Sequence, residues 1–521
     1  NSNNTTAEVL TISNLDGQTV NIKHSVANAG AGASGADADG ASITITGKTD
    51  TADDAVNVKL AAIDTEANDK GLETLNVANF ETVNIESALP TTGTVTNQVT
   101  ALTATSAKAV NVTGAADLTL TAVGGGAMTS LNASALAGKF TATLAGDKVA
   151  VSLGQKDSTV NFGATLNNDD SVTGGAGKDT LTASASGLTA TTGALKIANV
   201  ETINLTTGGN NTLDLSGVTG TGVTVAVTDN VQTITGFDLA HTISLGLAGD
   251  ESATASEIDV TATDATGSND TLKVSVENTN GTTSSIIDAS SIENLALTVV
   301  AAGDATLDLT TFEGNAVTVA SKAGVTGTGT VNLGTMHKNI NSVTSTYAGK
   351  VTANFSNNTA GVTFTGAGTA IQNVTGTAKA DTVTIGSTGA ITHVVSGGAG
   401  TDTVNMTAKN GLVNVGSIDA ENVNIAVTAG DDVTITTSFG TGVDNIGLTG
   451  GNSLSTFTTG TLVDEVKTLN SSAFGGNIVA TVANDKLDST VVFTGGASTK
   501  DEVNVTLATA ATTYALKSTG V

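Results

Sequence analysis

Apolar residues alternate with threonine, asparagine or serine in short runs along nearly the whole chain. Clear examples are residues 42–46 (Ser-Ile-Thr-Ile-Thr), 118–121 (Leu-Thr-Leu-Thr), 223–227 (Val-Thr-Val-Ala-Val) and 433–436 (Val-Thr-Ile-Thr). A period of two predicts β-strands that bury one face and present hydroxyl and amide groups on the other. Valine and threonine are β-branched and favour strands, whereas glycine, asparagine and aspartate favour the turns between them. The pattern therefore predicts an all-β chain.

A longer repeat appears when the strands are aligned on their acidic residues. One set of strands follows an aspartate: Asp54, Asp179, Asp270, Asp402 and Asp501. A second set follows a glutamate after each of the first four: Glu81, Glu201, Glu293 and Glu421. The spacings within the pairs are 27, 22, 23 and 19 residues. Similar spacing predicts that the two acids of a pair occupy adjoining rungs of a stacked structure.

Two glycine-rich turns match the pattern G-G-x-G-x-D-x-U, in which U is a large apolar residue. They are residues 174–181 (Gly-Gly-Ala-Gly-Lys-Asp-Thr-Leu) and 397–404 (Gly-Gly-Ala-Gly-Thr-Asp-Thr-Val). Glycines let the backbone curl so that carbonyl oxygens and the aspartate carboxylate can face a hard cation. Asp170 precedes Asp179 by nine residues, which is the nonapeptide spacing of a parallel β-roll. These turns predict Ca²⁺ sites.

The predicted Ca²⁺ ligands extend from these turns to the related acidic positions. They are Asp170, Gly174, Gly175, Gly177, Asp179 and Glu201 at the first turn, Asp381, Gly397, Gly398, Gly400, Asp402 and Glu421 at the second, and Asp54, Glu81, Asp270, Glu293 and Asp501 elsewhere. An alternative without metal remains open for the aspartates, because a carboxylate can also accept nearby backbone N–H groups. The glutamates could close the coordination shell from the next rung, or could simply face solvent at strand starts.

Composition narrows the function classes. The 521 residues carry a net charge of −28, with 20 basic residues that are all lysine, which disfavours nucleic acid as a partner. Cysteine is absent, so disulfides do not staple the fold, and no run of about 18 apolar residues predicts a membrane span. The histidines His24, His241, His337 and His393 are scattered and are interpreted as surface or turn residues. No catalytic constellation emerges, so the sequence predicts a protein that is not an enzyme.

The glycine-rich turns, the I/V-E-T-I/V-N-I/L strands and the acidic, cysteine-free composition together resemble a known family. The chain is similar to the RTX-type surface-layer (S-layer) proteins of Gram-negative bacteria, which are exported by type I secretion. The resemblance implies Ca²⁺-dependent folding outside the cell and self-assembly into a two-dimensional lattice on the bacterial surface. It also implies binding to outer-membrane lipopolysaccharide through a region that this sequence does not identify. A type I secreted RTX adhesin or toxin fragment is the alternative.

The expected architecture is an interrupted parallel β-solenoid, or a set of β-roll modules, with Ca²⁺-binding turns. The acidic repeat recurs after 125, 91, 132 and 99 residues, which is too uneven for a uniform solenoid and predicts insertions or separate modules. The expected modules are residues 1–165, 166–380 and 381–521. A string of β-sandwich modules is the alternative architecture.

Overall fold

The structure is a computed structural model that describes most of the chain between Val9 and Thr519. The described residues are 9–16, 18–23, 41–49, 53–61, 72–89, 96–146, 148–184, 188, 193–206, 211–220, 222–227, 232–245, 257–276, 285–300, 303–325, 329–366, 371–388, 393–409, 411–413, 418–435, 439–440, 442–462, 466–483, 491–506 and 516–519.

The chain is an all-β parallel solenoid of about 15 turns, without a helix among the described residues. Successive turns, which we call rungs, place equivalent strands beside one another in parallel register. The predicted all-β solenoid is therefore confirmed, and parallel pairing distinguishes it from the alternative of antiparallel sandwiches. In the described part of the chain, no helix is long and apolar enough to cross a membrane.

The solenoid divides into two compact units, Asn1–Ile243 with Thr261–Thr263, and Ser244–Val260 with Asp264–Val521. The predicted module boundaries at 165 and 380 remain a prediction. In the first unit, one sheet contains the strands Val9–Leu15, Ala41–Gly47, Leu72–Ala78, Thr96–Ala104, Asp117–Gly124, Phe140–Leu144, Thr159–Asn161, Thr180–Ser184, Thr202–Thr206 and Thr224–Val227. Its second sheet contains Thr19–Lys23, Ala55–Ala61, Thr82–Ala88, Ala109–Gly114, Ser130–Leu136, Ala150–Ser152, Ser171–Thr173, Lys196–Ala198 and Val218–Thr219, and a further pair is Asn211–Asp214 with Gln232–Phe237.

The second unit repeats this plan with a long sheet and two shorter sheets. The long sheet contains Thr271–Val276, Asn294–Val299, Ala316–Ser321, Ser342–Ser345, Thr363–Thr365, Thr382–Thr388, Thr403–Lys409, Asn422–Val427, Asn445–Gly450, Thr468–Phe474, Val491–Thr494 and Leu516–Thr519. The shorter sheets contain Ser285–Ala289, Ala305–Asp308, Thr330–Thr335, Lys350–Asn354, Gln372–Thr375, Val394–Ser396 and Ile418–Asp419, then Gly411–Val413, Asp432–Ile435, Thr456–Leu462, Asn477–Ala483 and Glu502–Thr506. The remaining strands are Thr242–Leu245 and Glu257–Ala262.

The core consists of the apolar half of each alternating strand. In Ala55–Ala61, the side chains of Val56 and Val58 are completely buried. They stack on Val83 and Ile85, which are their register partners in the next rung. Full burial of a side chain of this size stabilises the fold by about 1.5–3 kcal/mol relative to exposure. Stacking of like residues rung upon rung therefore explains why the period of two continues along the chain.

The outward-facing half of the strands carries ladders of asparagine. Asn84 donates from Nδ2 to Asn57 Oδ1 at 2.9 Å, and Asn111 donates in the same way to Asn84 Oδ1 at 2.9 Å. Each amide accepts a hydrogen bond from one neighbour and donates one to the other, so the amides of a ladder satisfy one another's hydrogen-bonding groups. The outer face is therefore polar but hydrogen-bonded along the direction of stacking.

Candidate functional site

The predicted acidic residues lie where the chain enters a strand. We call residues at this position in successive rungs a column. Strand pairing places Asp54 and Glu81, and likewise Asp179 and Glu201, in adjoining rungs. The pairs Asp270 with Glu293 and Asp402 with Glu421 are arranged in the same way. The prediction that paired acids occupy adjoining rungs is confirmed.

In every pair, the glutamate binds the backbone of the aspartate in the rung before it. The N–H of Asp54 donates to Glu81 Oε2 at 3.0 Å, and the N–H of Asp179 donates to Glu201 Oε2 at 2.6 Å. Equivalent bonds join Asp270 N–H to Glu293 at 2.9 Å and Asp402 N–H to Glu421 at 2.7 Å. The glutamates therefore act as acceptors for a backbone group of the preceding rung.

The aspartates of the two glycine-rich turns bind backbone N–H groups too. Asp179 accepts the N–H of Ser158, one rung earlier, and the N–H of Gly175 in its own turn, both at 2.8 Å. Asp402 Oδ1 accepts the N–H of Asp381 at 2.8 Å. Thus each motif aspartate ties its own rung to the rung before it.

Three other predicted aspartates, Asp170, Asp381 and Asp501, also bind the rung before their own without a complete glycine framework around them. Asp381 accepts the N–H groups of Val362 at 2.8 Å and Thr377 at 2.6 Å. Asp170 accepts Val149 N–H at 2.7 Å and Asn167 N–H at 2.8 Å, and Asp501 accepts Ile478 N–H and Gly496 N–H at 3.1 Å. Asp270 differs, because it accepts the N–H of Gly267 in its own turn, at 3.0 Å. The arrangement therefore belongs to the column and not to the glycine-rich turn alone.

Four exposed or half-exposed acids show the opposite direction of bonding. Each accepts a backbone N–H from the rung that follows: Asp117 from Lys139, Asp157 from Lys178, Asp304 from Thr330 and Asp432 from Thr456. The sequence patterns do not single out any of the four. Their only signal is an aspartate at or just before a strand start, which the chain shares with many solvent-facing residues.

The turn glycines are explained by how closely the rungs stack. A Cβ atom on Gly174 would overlap the carbonyl oxygen of Asn199, and one on Gly175 would overlap that of Gly154. Backbone hydrogen bonds hold this approach, since Gly174 N–H donates to Ala198 O at 2.8 Å and Ala176 N–H donates to Gly154 O at 3.1 Å. No side chain fits between the turns.

The second glycine-rich turn is packed in the same way. A Cβ on Gly398 would overlap the Thr377 carbonyl oxygen, and one on Gly397 would overlap the Asp402 carboxylate. The φ angles of Gly177, Gly398 and Gly400 are 104°, 101° and 126°, a region that favours glycine. Stacking and backbone conformation together account for the glycine pattern.

Burial and neighbouring negative charges raise the pKa values of the aspartates in the two glycine-rich turns. Burial raises the pKa of Asp179, backbone N–H groups of Ser158 and Gly175 oppose this, and the charges of Glu201 and Asp157 add to it. Burial likewise raises the pKa of Asp402, with Asp381, Glu421 and Asp419 adding repulsion. Because the folded-state pKa values are raised, these two groups stabilise the fold most at low pH, and that contribution is lost as pH rises through them.

The donor set of the columns does not fit the coordination shell of Ca²⁺. That ion takes six to eight oxygen ligands. The column carboxylates instead accept backbone N–H groups, and the partial positive charge on those hydrogens disfavours a cation beside them. Across the described residues, no group of three or more histidine, aspartate or glutamate side chains is arranged to hold a metal ion. Ca²⁺ binding by the predicted residues therefore rests on the resemblance and stays a prediction.

Two histidines differ from the expectation of surface or turn residues. His241 and His393 are 1% and 0% exposed, whereas His24 lies outside the described residues. His241 stands edge-on to Phe237, with ring centroids 6.1 Å apart. His393 accepts the N–H of Gln372 at Nδ1, and burial lowers the pKa of His393 although the Gly386 carbonyl opposes this. His241 immediately precedes a strand, like the column acids, and this position was the available signal of its burial.

A polar cavity of about 590 Å³ lies in the second unit, beside the column. Its lining includes Glu313, Lys338 and the column residues Glu293, Asn315 and Asn341. The column continues through this region by main-chain bonds, since Asn315 N–H donates to Glu293 O and Asn341 N–H donates to Asn315 O. For two rungs, amides replace the carboxylates of the column.

No known family model matches this chain, and no curated protein or solved structure is significantly similar to it. The likeness to S-layer proteins therefore rests on the turns, the strand pattern and the composition.

Proposed function

We propose that this protein is a structural S-layer protein, which self-assembles into a two-dimensional lattice on the surface of a Gram-negative bacterium. The proposal rests on the observation that carboxylates and glycines repeatedly join successive rungs. Carboxylates and glycines that would mark a binding site in another protein bind or accommodate the neighbouring turn of this chain. The described architecture is thus a regular scaffold, which supports a structural role.

Charge explains how assembly could be controlled. A net charge of −28 makes copies repel one another over about one Debye length, roughly 8 Å at physiological ionic strength. Exposed acids such as Glu73, Glu313 and Asp419 remain on the surface of the solenoid. In this proposal, extracellular Ca²⁺ bridges such carboxylates between copies. Lipopolysaccharide is the proposed anchor on the cell, as the resemblance implies.

A calcium titration tests the proposal. Light scattering and electron microscopy are recorded at rising Ca²⁺, with circular dichroism in parallel to follow folding. We expect ordered sheets at millimolar Ca²⁺, which is roughly the affinity range of extracellular calcium modules. Sodium chloride at matched ionic strength is the control, because it screens repulsion without bridging carboxylates. A folded protein that stays monomeric throughout would favour the alternative, a type I secreted RTX adhesin or toxin fragment.

A further inference from the structure

We propose that the carboxylate columns hold the rungs in register by binding backbone N–H groups, and that the solenoid consequently folds without Ca²⁺. This inference concerns folding and is independent of assembly between copies. It departs from the resemblance, which implies that Ca²⁺ drives folding.

Both polar groups of a column residue's backbone bond to the next rung. The carbonyl of Asp54 accepts the N–H groups of Glu81 and Thr82 in the next rung, at 2.9 and 3.0 Å. The N–H of Asp54 points to the same rung and donates to the Glu81 carboxylate. A buried N–H without an acceptor would be costly, by about 1–3 kcal/mol. The acid in the next rung removes that cost, so its side chain and its backbone both form hydrogen bonds with the backbone of the same residue.

The same pair of hydrogen bonds forms where the preceding column residue has no acidic side chain. The carbonyl of Val362 accepts Thr382 N–H at 2.8 Å, while the N–H of Val362 donates to Asp381. The carbonyl of Ser158 likewise accepts Thr180 N–H at 2.8 Å, and the N–H of Ser158 donates to the Asp179 carboxylate at 2.8 Å. Valine offers no ligand to a metal ion. The carboxylate is therefore placed to serve a backbone N–H, whatever side chain accompanies that N–H.

Consecutive acids extend the bonding over several rungs. The N–H of Val362 donates to Asp381, the N–H of Asp381 to Asp402, and the N–H of Asp402 to Glu421. Each is a charge-assisted hydrogen bond, which is stronger than a neutral one. Each of these N–H groups occupies an acceptor position of the carboxylate that a metal ion would otherwise use. The column carboxylates thus join successive rungs without a metal ion.

The test crosses a column substitution with Ca²⁺. Wild type, Asp381→Asn and the control Asp169→Asn are each measured in EDTA and in millimolar Ca²⁺ by circular dichroism and hydrogen exchange. Asp169 is exposed and forms an ion pair with Lys148 at 2.9 Å, so its loss leaves the column intact. The amide of asparagine can accept at only one atom, so Asp381→Asn cannot serve the N–H groups of both Val362 and Thr377.

We expect wild type to stay folded in EDTA with an unchanged melting temperature. Asp381→Asn should speed hydrogen exchange in the peptides containing Val362 and Thr377 by on the order of 10- to 100-fold, equally in EDTA and Ca²⁺. Asp169→Asn should leave these peptides unchanged. If Asp381→Asn does not fold, Asp501→Asn gives the same comparison at Ile478 and Gly496, where both bonds are 3.1 Å.

Two results would overturn the inference. One is unfolding of wild type in EDTA, and the other is an effect of the column substitution that appears only with Ca²⁺ or is absent in both conditions. A protein that folds in EDTA and never forms a lattice would support the inference while refuting the proposed function. The two ideas can therefore fail separately.

Discussion

Replacing Gly175 with alanine is the sharpest test of rung stacking, because it adds one methyl group at the tightest kind of contact in the turn. The new Cβ would overlap the carbonyl oxygen of Gly154 in the preceding rung, which accepts the N–H of Ala176 at 3.1 Å. The two turns would have to move apart by roughly an ångström or more. Gly175 does not have a positive φ, so the cost is steric and not conformational.

The expected cost has two parts. Overpacking of a tight contact destabilises a protein by about 1–3 kcal/mol. Weakening the hydrogen bond between Ala176 and Gly154 adds about 0.5–1.5 kcal/mol. We therefore expect Gly175→Ala to lower the free energy of unfolding by about 2–4 kcal/mol. The matched control is Gly126→Ala, at an exposed turn where an added Cβ meets nothing within 4 Å. That change should be neutral or should stabilise by about 0.4–1 kcal/mol.

Urea denaturation followed by circular dichroism measures both variants, in EDTA and in Ca²⁺. If close stacking of the rungs requires glycine at this position, Gly175→Ala should lose the same stability in both conditions. Equal stability of the two alanine variants would show that stacking does not require glycine there. A loss that appears only with Ca²⁺ would show that the turn is shaped for an ion after all.

Two further predictions concern buried groups of the second unit. Tyr347 is fully buried and donates its hydroxyl to the Gly329 carbonyl at 3.3 Å, so Tyr347→Phe should cost about 1 kcal/mol in urea denaturation, and an unchanged midpoint would contradict that bond. Burial lowers the pKa of His393, so its contribution to stability should be lost as pH falls from the unfolded-state value of 6.5 toward the folded-state pKa. His393→Asn keeps an acceptor for the Gln372 N–H and should flatten urea midpoints over that range, whereas a profile identical to wild type would contradict the assignment.

The sequence was sufficient to predict the fold class and the pairing of acids, for a physical reason. Alternation of Val or Ile with Thr or Asn is a property of each strand, and the acid spacing equals the length of a rung. The bond from Asp54 to Glu81 spans 27 residues and that from Asp402 to Glu421 spans 19. The nine-residue step from Asp170 to Asp179 instead joins two different sheets. It is thus only part of a rung.

The use of the carboxylates could not be predicted in the same way. A metal ion and a backbone N–H both select a carboxylate at a strand start, so the two arrangements leave the same residues at the same spacing. The decisive partners, such as the N–H groups of Val362 and Ser158, carry no mark in the sequence because every residue except proline has one. For burial of His241 the sequence offers only the position directly before a strand, and a lone histidine such as His393 carries little pattern.

The run from Val362 through Asp381 and Asp402 to Glu421 gives the stacking a polarity. In each step, an earlier rung supplies the N–H and a later rung supplies the carboxylate. If this stretch assembles from its N-terminal side, the last rung in place always has an N–H that awaits an acceptor. If it assembles from the C-terminal side, the acceptor is already present when each rung arrives. The two ends of a growing stack are thus chemically different, and elongation at one end should be faster than at the other.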